Sequence, residues 1–284
     1  MNNKQPARLA DLGTKIKAML RKKPAVAVIR LSGIIKQSAH GKDIINAEIL
    51  DSAIEKAFNK IPNCKAVALL VNSPGGSPVQ SEIIANRIIV ISKQKKIPVL
   101  AFAEDVAASG GYYILCAGDE IYASASSIIG SIGVISAGFG FVEMIKKIGI
   151  QRRVYAEGEN KSLLDPFVPE KEDDISILKD AQKDVHDSFA EFVKKRRGEK
   201  LISDEKELFS GMFWSGKKAK KLGLVDDLVE DYKTFLKRRF GNNTKFVKLN
   251  KPKGFLSRRF GMECIAETLI NKIQEITNRD RFGL

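Results

Sequence analysis

The chain has 284 residues, 44% of them hydrophobic, and a formal net charge of +14, which suits one large domain with appendages. The charge is uneven, because residues 1–23 carry seven Lys/Arg and one acidic residue and residues 231–284 carry thirteen and five, which leaves 28 of each kind in 24–230. A neutral centre disfavours a nucleic-acid-binding core, since such a core needs a basic face, and no nucleic-acid partner is expected.

The first half of the chain predicts alternating helices and strands. Residues 8–20 predict a basic amphipathic helix that packs on the body or on a partner subunit, or that contacts an anionic membrane surface. Buried strands are predicted at 25–31, 65–71 and 98–103, and helices at 46–60 and 80–95. This order indicates a parallel β-sheet with crossover helices, in which ligands bind at the carboxyl ends of the strands.

The second half predicts shorter strands and one long helix. The predicted elements are strands at 121–123, 133–136 and 151–155 and helices at 139–148, 170–198 and 262–276. The last of these is amphipathic and is expected to pack on the domain or on a neighbouring subunit. We therefore predict a basic N-terminal extension at 1–23, a main α/β domain at 24–230 and a basic helical C-terminal extension at 231–284.

Cysteine spacing and hydropathy indicate which cellular compartment to expect. Cys64, Cys116 and Cys264 lie far apart and form neither a metal-ligand spacing nor a disulfide framework, which is typical of a reducing compartment. No run of about 18 apolar residues predicts a membrane-spanning helix, and no secretory signal is visible. We expect a cytoplasmic protein, or one peripheral on the cytoplasmic membrane, with no cofactor and no metal.

Two glycine-containing turns follow predicted strands. Asn72-Ser-Pro-Gly-Gly76 follows the strand at 65–71, and Ala107-Ala-Ser-Gly-Gly111 follows the strand at 98–103. Glycine pairs at such positions allow a sharp turn and leave a backbone N–H accessible to a substrate carbonyl. On these residues alone, Ser109 is either the cap of a helix or a nucleophile beside an oxyanion hole.

Five motifs in combination carry a resemblance to a known family. They are Asn72-Ser-Pro-Gly-Gly76, Ala107-Ala-Ser-Gly-Gly-Tyr-Tyr113, Gly130-Ser-Ile-Gly-Val134, Gly158-Glu-Asn-Lys-Ser162 and Trp214-Ser-Gly-x-x-Ala-x-x-Leu-Gly-Leu-Val-Asp226. In this order they resemble the signal peptide peptidase A family of serine peptidases, family S49. The resemblance covers about residues 24–230 and implies a crotonase/Clp-protease-like α/β fold with a Ser/Lys dyad.

The resemblance also implies roles for individual residues. It makes Ser109 the nucleophile, Lys161 the general base and Ser131 a hydrogen-bonding partner of the lysine. It further implies an oxyanion hole formed by the N–H groups of Gly76 and Gly110, and substrate binding by Asn72, Ser73 and Gly75. Many family members carry a membrane anchor at the N-terminus, and no anchor is visible in this chain.

The scarcity of histidine agrees with a lysine base. The chain holds only His40 and His186, and none lies between Ser109 and Ile150, where a Clp-type triad would place one. His186 is interpreted as a half-exposed helix histidine. Lysine is a known alternative base, provided that its surroundings lower its pKa by roughly 2–3 units. In the family the dyad forms where neighbouring subunits, or repeated halves of one chain, meet, so we expect a homo-oligomer with its active site near a subunit interface.

The predicted function is a serine endopeptidase that cleaves hydrophobic peptides, including signal-peptide-like remnants, through an acyl-enzyme intermediate. Two alternatives stay open. A crotonase-type acyl-CoA enzyme shares the fold and the two-amide oxyanion hole, and it would bind CoA thioesters. A non-catalytic scaffold would use the basic ends of the chain to bind a membrane or nucleic acid, and its binding would depend strongly on salt.

Overall fold

The fold is known from a computed structural model that describes residues 23–37 and 43–250. The predicted helices at 8–20 and 262–276, and His40, lie outside the described residues. The strands are β1 (Ala25–Ser32), β2 (Ile34–Ile35), β3 (Ile44–Ile45), β4 (Cys64–Ser73), β5 (Val99–Ala108), β6 (Glu120–Ala123), β7 (Ile128–Gly130), β8 (Phe213–Ser215), β9 (Asp227–Leu228) and β10 (Lys245–Lys248). The helices are α1 (Ala47–Asn59), α2 (Pro78–Lys95), α3 (Gly110–Leu115), α4 (Val142–Lys147), α5 (Glu172–Arg197), α6 (Glu205–Leu208), α7 (Gly216–Lys221) and α8 (Tyr232–Phe240), with a 3₁₀ turn at Gly198–Lys200.

A mostly parallel sheet organises these elements. Its strand order is β10-β1-β4-β5-β6-β9, and neighbouring strands along this path are parallel. β7 pairs in parallel with the end of β5 and antiparallel with β8, while β2 and β3 form a separate two-stranded sheet. The predicted α/β class, with a parallel sheet and crossover helices, is confirmed.

The central strands are buried on both faces. Residues 66–71 of β4 are between 0 and 4% exposed, which explains why the strand is a continuous apolar run rather than an alternating one. Val67, Leu69 and Val71 face the cluster that also contains residues of α1, α2, α3 and α5. The alternate residues of β4 face a second cluster, which α8 covers.

The end of β5 separates from β6 at a β-bulge. Val71 pairs with Ala103 and Ser73 pairs with Ala107, so residues 104–106 are inserted opposite a single residue of β4. From Val106 onward β5 pairs with β7 rather than with β6, and Val106 lies opposite Ile128. Bulges bend a strand and increase its twist, and they are frequent beside active sites. Here the bend separates the last residues of β5 from β6.

The predicted strands at 133–136 and 151–155 are wrong, because neither segment forms a strand. Both carry strongly exposed side chains, with Ile135 79% and Tyr155 93% exposed. A segment forms a strand only where a neighbouring strand pairs with its backbone N–H and C=O groups. Beyond the predicted boundary at residue 230, α8 covers the sheet and β10 pairs with β1, so this part of the chain contributes to the same sheet.

Two consecutive arginines of α5 connect this helix to the residues after α3 and to the segment at 223–226. Arg196 donates from Nε to Cys116 O (2.7 Å) and from Nη2 to Gly118 O (2.9 Å), carbonyls that follow α3. Arg197 is 3% exposed and donates to Gly223 O and to both carboxylate oxygens of Asp226. Burial raises the pKa of Asp226, but hydrogen bonds from Arg197 and Lys200 outweigh burial and hold the pKa below its ordinary value.

The Arg197→Ala substitution is expected to lower the free energy of unfolding by about 3 kcal/mol, because it leaves the partly buried Asp226 carboxylate without its main partner. Urea denaturation measures this change. Arg87→Ala is the matched control, because Arg87 forms exposed ion pairs with Asp51 and Glu55. The control substitution should lower the free energy of unfolding by less than about 1 kcal/mol. Equal decreases in both variants would contradict a special role for the buried arginine.

Candidate active site

Ser109 lies between the end of β5 and the first residue of α3 in a strained backbone conformation. Its φ is 51° and its ψ is −126°, a region that residues with a side chain rarely adopt and that costs on the order of 1–3 kcal/mol. The Ser109 N–H donates to Gly130 O of β7 at 2.8 Å, and the Ser109 carbonyl accepts from the N–H groups of Tyr112 and Tyr113. Ser109 occupies the N-cap position of α3, but its side chain makes no capping hydrogen bond to the helix.

Two backbone amides lie together beside this serine. A Cβ atom added at Gly110 would be 3.5 Å from Gly76 N, so the two glycine backbones approach closely. Within the described ranges, neither Gly76 N–H nor Gly110 N–H donates to another residue. Two such donors beside a serine can stabilise the negative charge that develops on a carbonyl oxygen under attack.

The turn after β4 fits against Ser109 only because it contains glycine. Gly75 has a φ of 109°, and a Cβ atom there would lie 2.8 Å from Ser109 Cβ. Gly76 has a φ of 138° and forms a parallel bridge with Ile35, while Ile35 N–H donates to Gly75 O and Ser77 N–H donates to Ile35 O. β2 therefore fixes the turn from one side while Ser109 contacts it from the other.

The side chains of Asn72 and Ser73 hold the shape of this region. Asn72 donates from Nδ2 to Asp105 Oδ2 at 2.8 Å and accepts from Val106 N–H, so it spans the bulge of β5. Ser73 is fully buried, and its hydroxyl accepts from Gly75 N–H. Their predicted contact with a substrate stays a prediction.

Ser131 lies next to the strand residue that holds Ser109. It is half-buried, has a φ of 53° and follows Gly130, whose carbonyl accepts from Ser109 N–H. The Ser131 N–H donates to Met212 O at 2.7 Å. Gly130 and Ser131 thus connect the backbone of Ser109 to the segment before β8.

Lys161 occupies a different setting, in a segment from 133 to 171 that we call the arm. The arm contains α4 and no strand, and Lys161 in it is exposed, with its N–H donating to Gly158 O at 3.1 Å. Phe141 N–H donates to Pro166 O and the rings of Phe141 and Phe167 stack at 5.5 Å, so the two halves of the arm pack on each other. The described residues leave Lys161 exposed, whereas a role as base requires burial.

Three supporting residues were missed by the sequence analysis. Gly130 accepts from Ser109 N–H, Asp105 accepts from Asn72, and Arg196 caps the end of α3. Gly130 belongs to a motif that was recognised, but its partner lies 21 residues earlier in the chain. No local pattern signals contacts of this kind.

The described residues provide neither a membrane-spanning helix nor a metal-binding cluster. None of their helices is both long and apolar enough to cross a membrane. The same part of the chain contains no group of three or more His, Cys, Asp or Glu residues placed to hold a metal ion.

Comparisons with known proteins relate the chain to peptidases. The model of peptidase family S49 matches residues 91–239, just over half of the chain. The chain is 47% identical over 237 residues (82% of its length) to a protein named Na(+)/H(+) antiporter NhaA from Brucella abortus. It is 33% identical over 205 residues (72% of its length) to protease 4 of Haemophilus influenzae. The chain spans about a third of the length of these relatives, since the matches cover 32% of each.

A solved structure agrees with the fold. The chain superposes on a mutant of the 1510-N membrane-bound stomatin-specific protease with a TM-score of 0.51, covering 81% of this chain and 99% of that one at 19% identity. At this identity the likeness concerns the fold alone. The antiporter name belongs to a whole protein of which only a third matches this chain, so no transport activity is inferred from it.

Gly76→Ala is expected to lower the free energy of unfolding by about 2 kcal/mol or more, because its Cβ would lie 2.1 Å from Ile35 O at a φ of 138°. The bridge between Gly76 and Ile35 would have to open. Gly138→Ala is the control, since nothing lies within 4 Å of a Cβ there. Thermal or urea unfolding of both variants measures the difference, and an unchanged Gly76 variant would contradict the close approach.

Proposed function

The chain belongs to peptidase family S49, and on that premise we propose that it is a serine endopeptidase with Ser109 as nucleophile and Lys161 as general base. The observation that carries the proposal is the strained Ser109 beside the two amides of Gly76 and Gly110. A serine with a strained backbone, whose hydroxyl makes no capping hydrogen bond to its helix, is suited to present that hydroxyl to a substrate.

The chemistry follows from this arrangement. Ser109 Oγ attacks the carbonyl carbon of the scissile peptide bond, and its proton passes to Lys161 Nζ. The oxyanion that forms accepts hydrogen bonds from Gly76 N–H and Gly110 N–H, and each such donor stabilises a transition state by about 2.7–4 kcal/mol. The C–N bond then breaks, the lysine returns the proton to the leaving amine, and water hydrolyses the acyl-Ser109 ester.

A second copy of the chain is proposed to complete the site. The arm and the neighbouring segment at 212–213 expose large apolar side chains, each at least 50% exposed: Ile135, Phe139, Met144, Ile148, Ile150, Tyr155, Met212 and Phe213. Exposed apolar surface of this extent is typical of protein–protein contacts. Because Lys161 belongs to the arm, docking of the arm on a neighbouring copy would bury the lysine that the described residues leave exposed.

Hydrophobic peptides, including remnants of signal peptides, are the proposed substrates, on the strength of the family resemblance. Peripheral contact with an anionic membrane stays a prediction, since the basic segments that would make it, 1–22 and 251–284, lie outside the described residues. The acyl-CoA and scaffold alternatives receive no support from a specific observation.

Ser109→Ala and Lys161→Ala are each expected to lower kcat/KM about a thousandfold or more, because each removes one half of the nucleophile–base pair. The measurement is hydrolysis of a fluorogenic peptide with a hydrophobic residue before the scissile bond. Lys171→Ala is the matched control, an exposed lysine of the same arm, and it should leave the rate unchanged. Full activity in the Ser109 variant would exclude this serine as nucleophile and make thioester binding the next test.

A mixture of the two inactive variants tests whether copies share the site. If Lys161 of one copy serves Ser109 of its neighbour, an equimolar, subunit-exchanged mixture of Ser109→Ala and Lys161→Ala chains contains some sites with both wild-type residues. Such a mixture should recover about one quarter of the wild-type rate. A mixture as inactive as its components, with exchange verified by native mass spectrometry, would place both residues in one chain.

A further inference from the structure

A cleft opens at the carboxyl ends of β5, β6 and β9, where the bulge at 104–106 turns β5 away from β6. Its volume is about 510 Å³. Its walls come from the end of β5, from the loop between β6 and β7, and from residues 229–232 at the start of α8. Strand ends of a parallel sheet are the places where such folds bind ligands.

The cleft is acidic and partly aromatic. Four carboxylates line it, from Glu104, Asp105, Glu230 and Asp231, and its apolar side includes Phe102, Tyr122 and Tyr232. Arg30 pairs with Glu104 at 2.8 Å and is the guanidinium group at the rim. Carboxylates beside aromatic rings favour an occupant that combines cationic and apolar side chains.

The described chain ends against β1, whose Arg30 contacts the cleft wall. β10 runs parallel to β1, and the Asn250 side chain forms hydrogen bonds with both the N–H and the C=O of Arg30 in β1. Arg30 in turn reaches Glu104 in the cleft wall. Residue 250 follows β10, and from β10 to β5 is three strand steps, or about 14 Å, which about four to five extended residues span.

The sequence that follows Asn250 is basic and partly aromatic, so it complements an acidic and partly aromatic cleft. Residues 251–260 read Lys-Pro-Lys-Gly-Phe-Leu-Ser-Arg-Arg-Phe, with four cations, two phenylalanines and no acidic residue. They begin within reach of the cleft, since about four to five extended residues are enough to cross from β10 to β5. We propose that residues 251–260 of this chain bind in the cleft of the same chain, with their Lys and Arg side chains facing the four carboxylates.

The contact would place the C-terminal segment next to the candidate active site. Asp105 in the cleft wall accepts a hydrogen bond from Asn72, and Asn72 precedes the turn that carries Gly75 and Gly76. The proposal does not depend on peptidase activity, because it concerns binding alone. Its test therefore uses a readout that an inactive protein would also give.

The experiment is zero-length carbodiimide cross-linking of the full chain, which joins a lysine amine to a carboxylate in contact, with the links mapped by mass spectrometry. The expected links join Lys251 or Lys253 to Glu104, Asp105, Glu230 or Asp231. An equal mixture of ¹⁴N- and ¹⁵N-labelled chains distinguishes links within a chain from links between chains. Links found only between chains would overturn the proposal, since the occupant would then be a second copy.

Charge reversal supplies the decisive controls. Arg258→Glu with Arg259→Glu is expected to lower the yield of these links about five- to tenfold, since two charge pairs are lost. Glu230→Lys should lower the yield in the same way, and combining it with the arginine reversals should restore it. Glu170→Lys, an exposed residue of the arm, should leave the yield unchanged. Absence of links to the cleft, or a yield unaffected by the arginine reversals, would overturn the proposal.

Discussion

The left-handed backbone of Ser109 is the constraint on which the site depends. Residues with side chains occupy this region only where their surroundings hold them there, at a cost on the order of 1–3 kcal/mol. β7 holds Ser109 through Gly130 O, the first turn of α3 holds its carbonyl, and Gly75 lets the turn after β4 press against it. Arg196 fixes α3 from the opposite end. Since these contacts come from distant parts of the chain, the serine reaches its position only when the sheet is complete.

The two halves of the proposed dyad therefore differ in how they are held. Ser109 and its two amides lie just beyond the ends of β4 and β5, and the side chain of Asn72 contacts the β5 bulge. Lys161 is carried by the arm, which has no strand and exposes apolar side chains. A site divided in this way would be inactive until copies of the chain assemble, and it would couple peptide cleavage to assembly.

Local patterns were sufficient to predict the central strands and crossover helices, because β4 and β5 are continuous apolar runs and α1 shows helical periodicity. The serine and both glycine turns were also found, since turns at strand ends have local signatures. Local patterns did not predict the bulge at 104–106, the pairing of β7 with β8 or the addition of β10 to β1. Each of these features depends on a partner far away in sequence. The surroundings of Lys161 were equally beyond local patterns, because the motif that identifies this lysine does not show which residues would bury it.

The most direct test of the account is to map the site of covalent reaction with a serine-directed aryl phosphonate. Intact-mass and peptide mass spectrometry would be applied to the wild-type chain and to the Lys161→Ala variant under identical conditions. The account predicts one phosphonate group per chain, located on Ser109, and little or none in the lysine variant. Labelling at another serine, or equal labelling of Ser109 without the lysine, would contradict it.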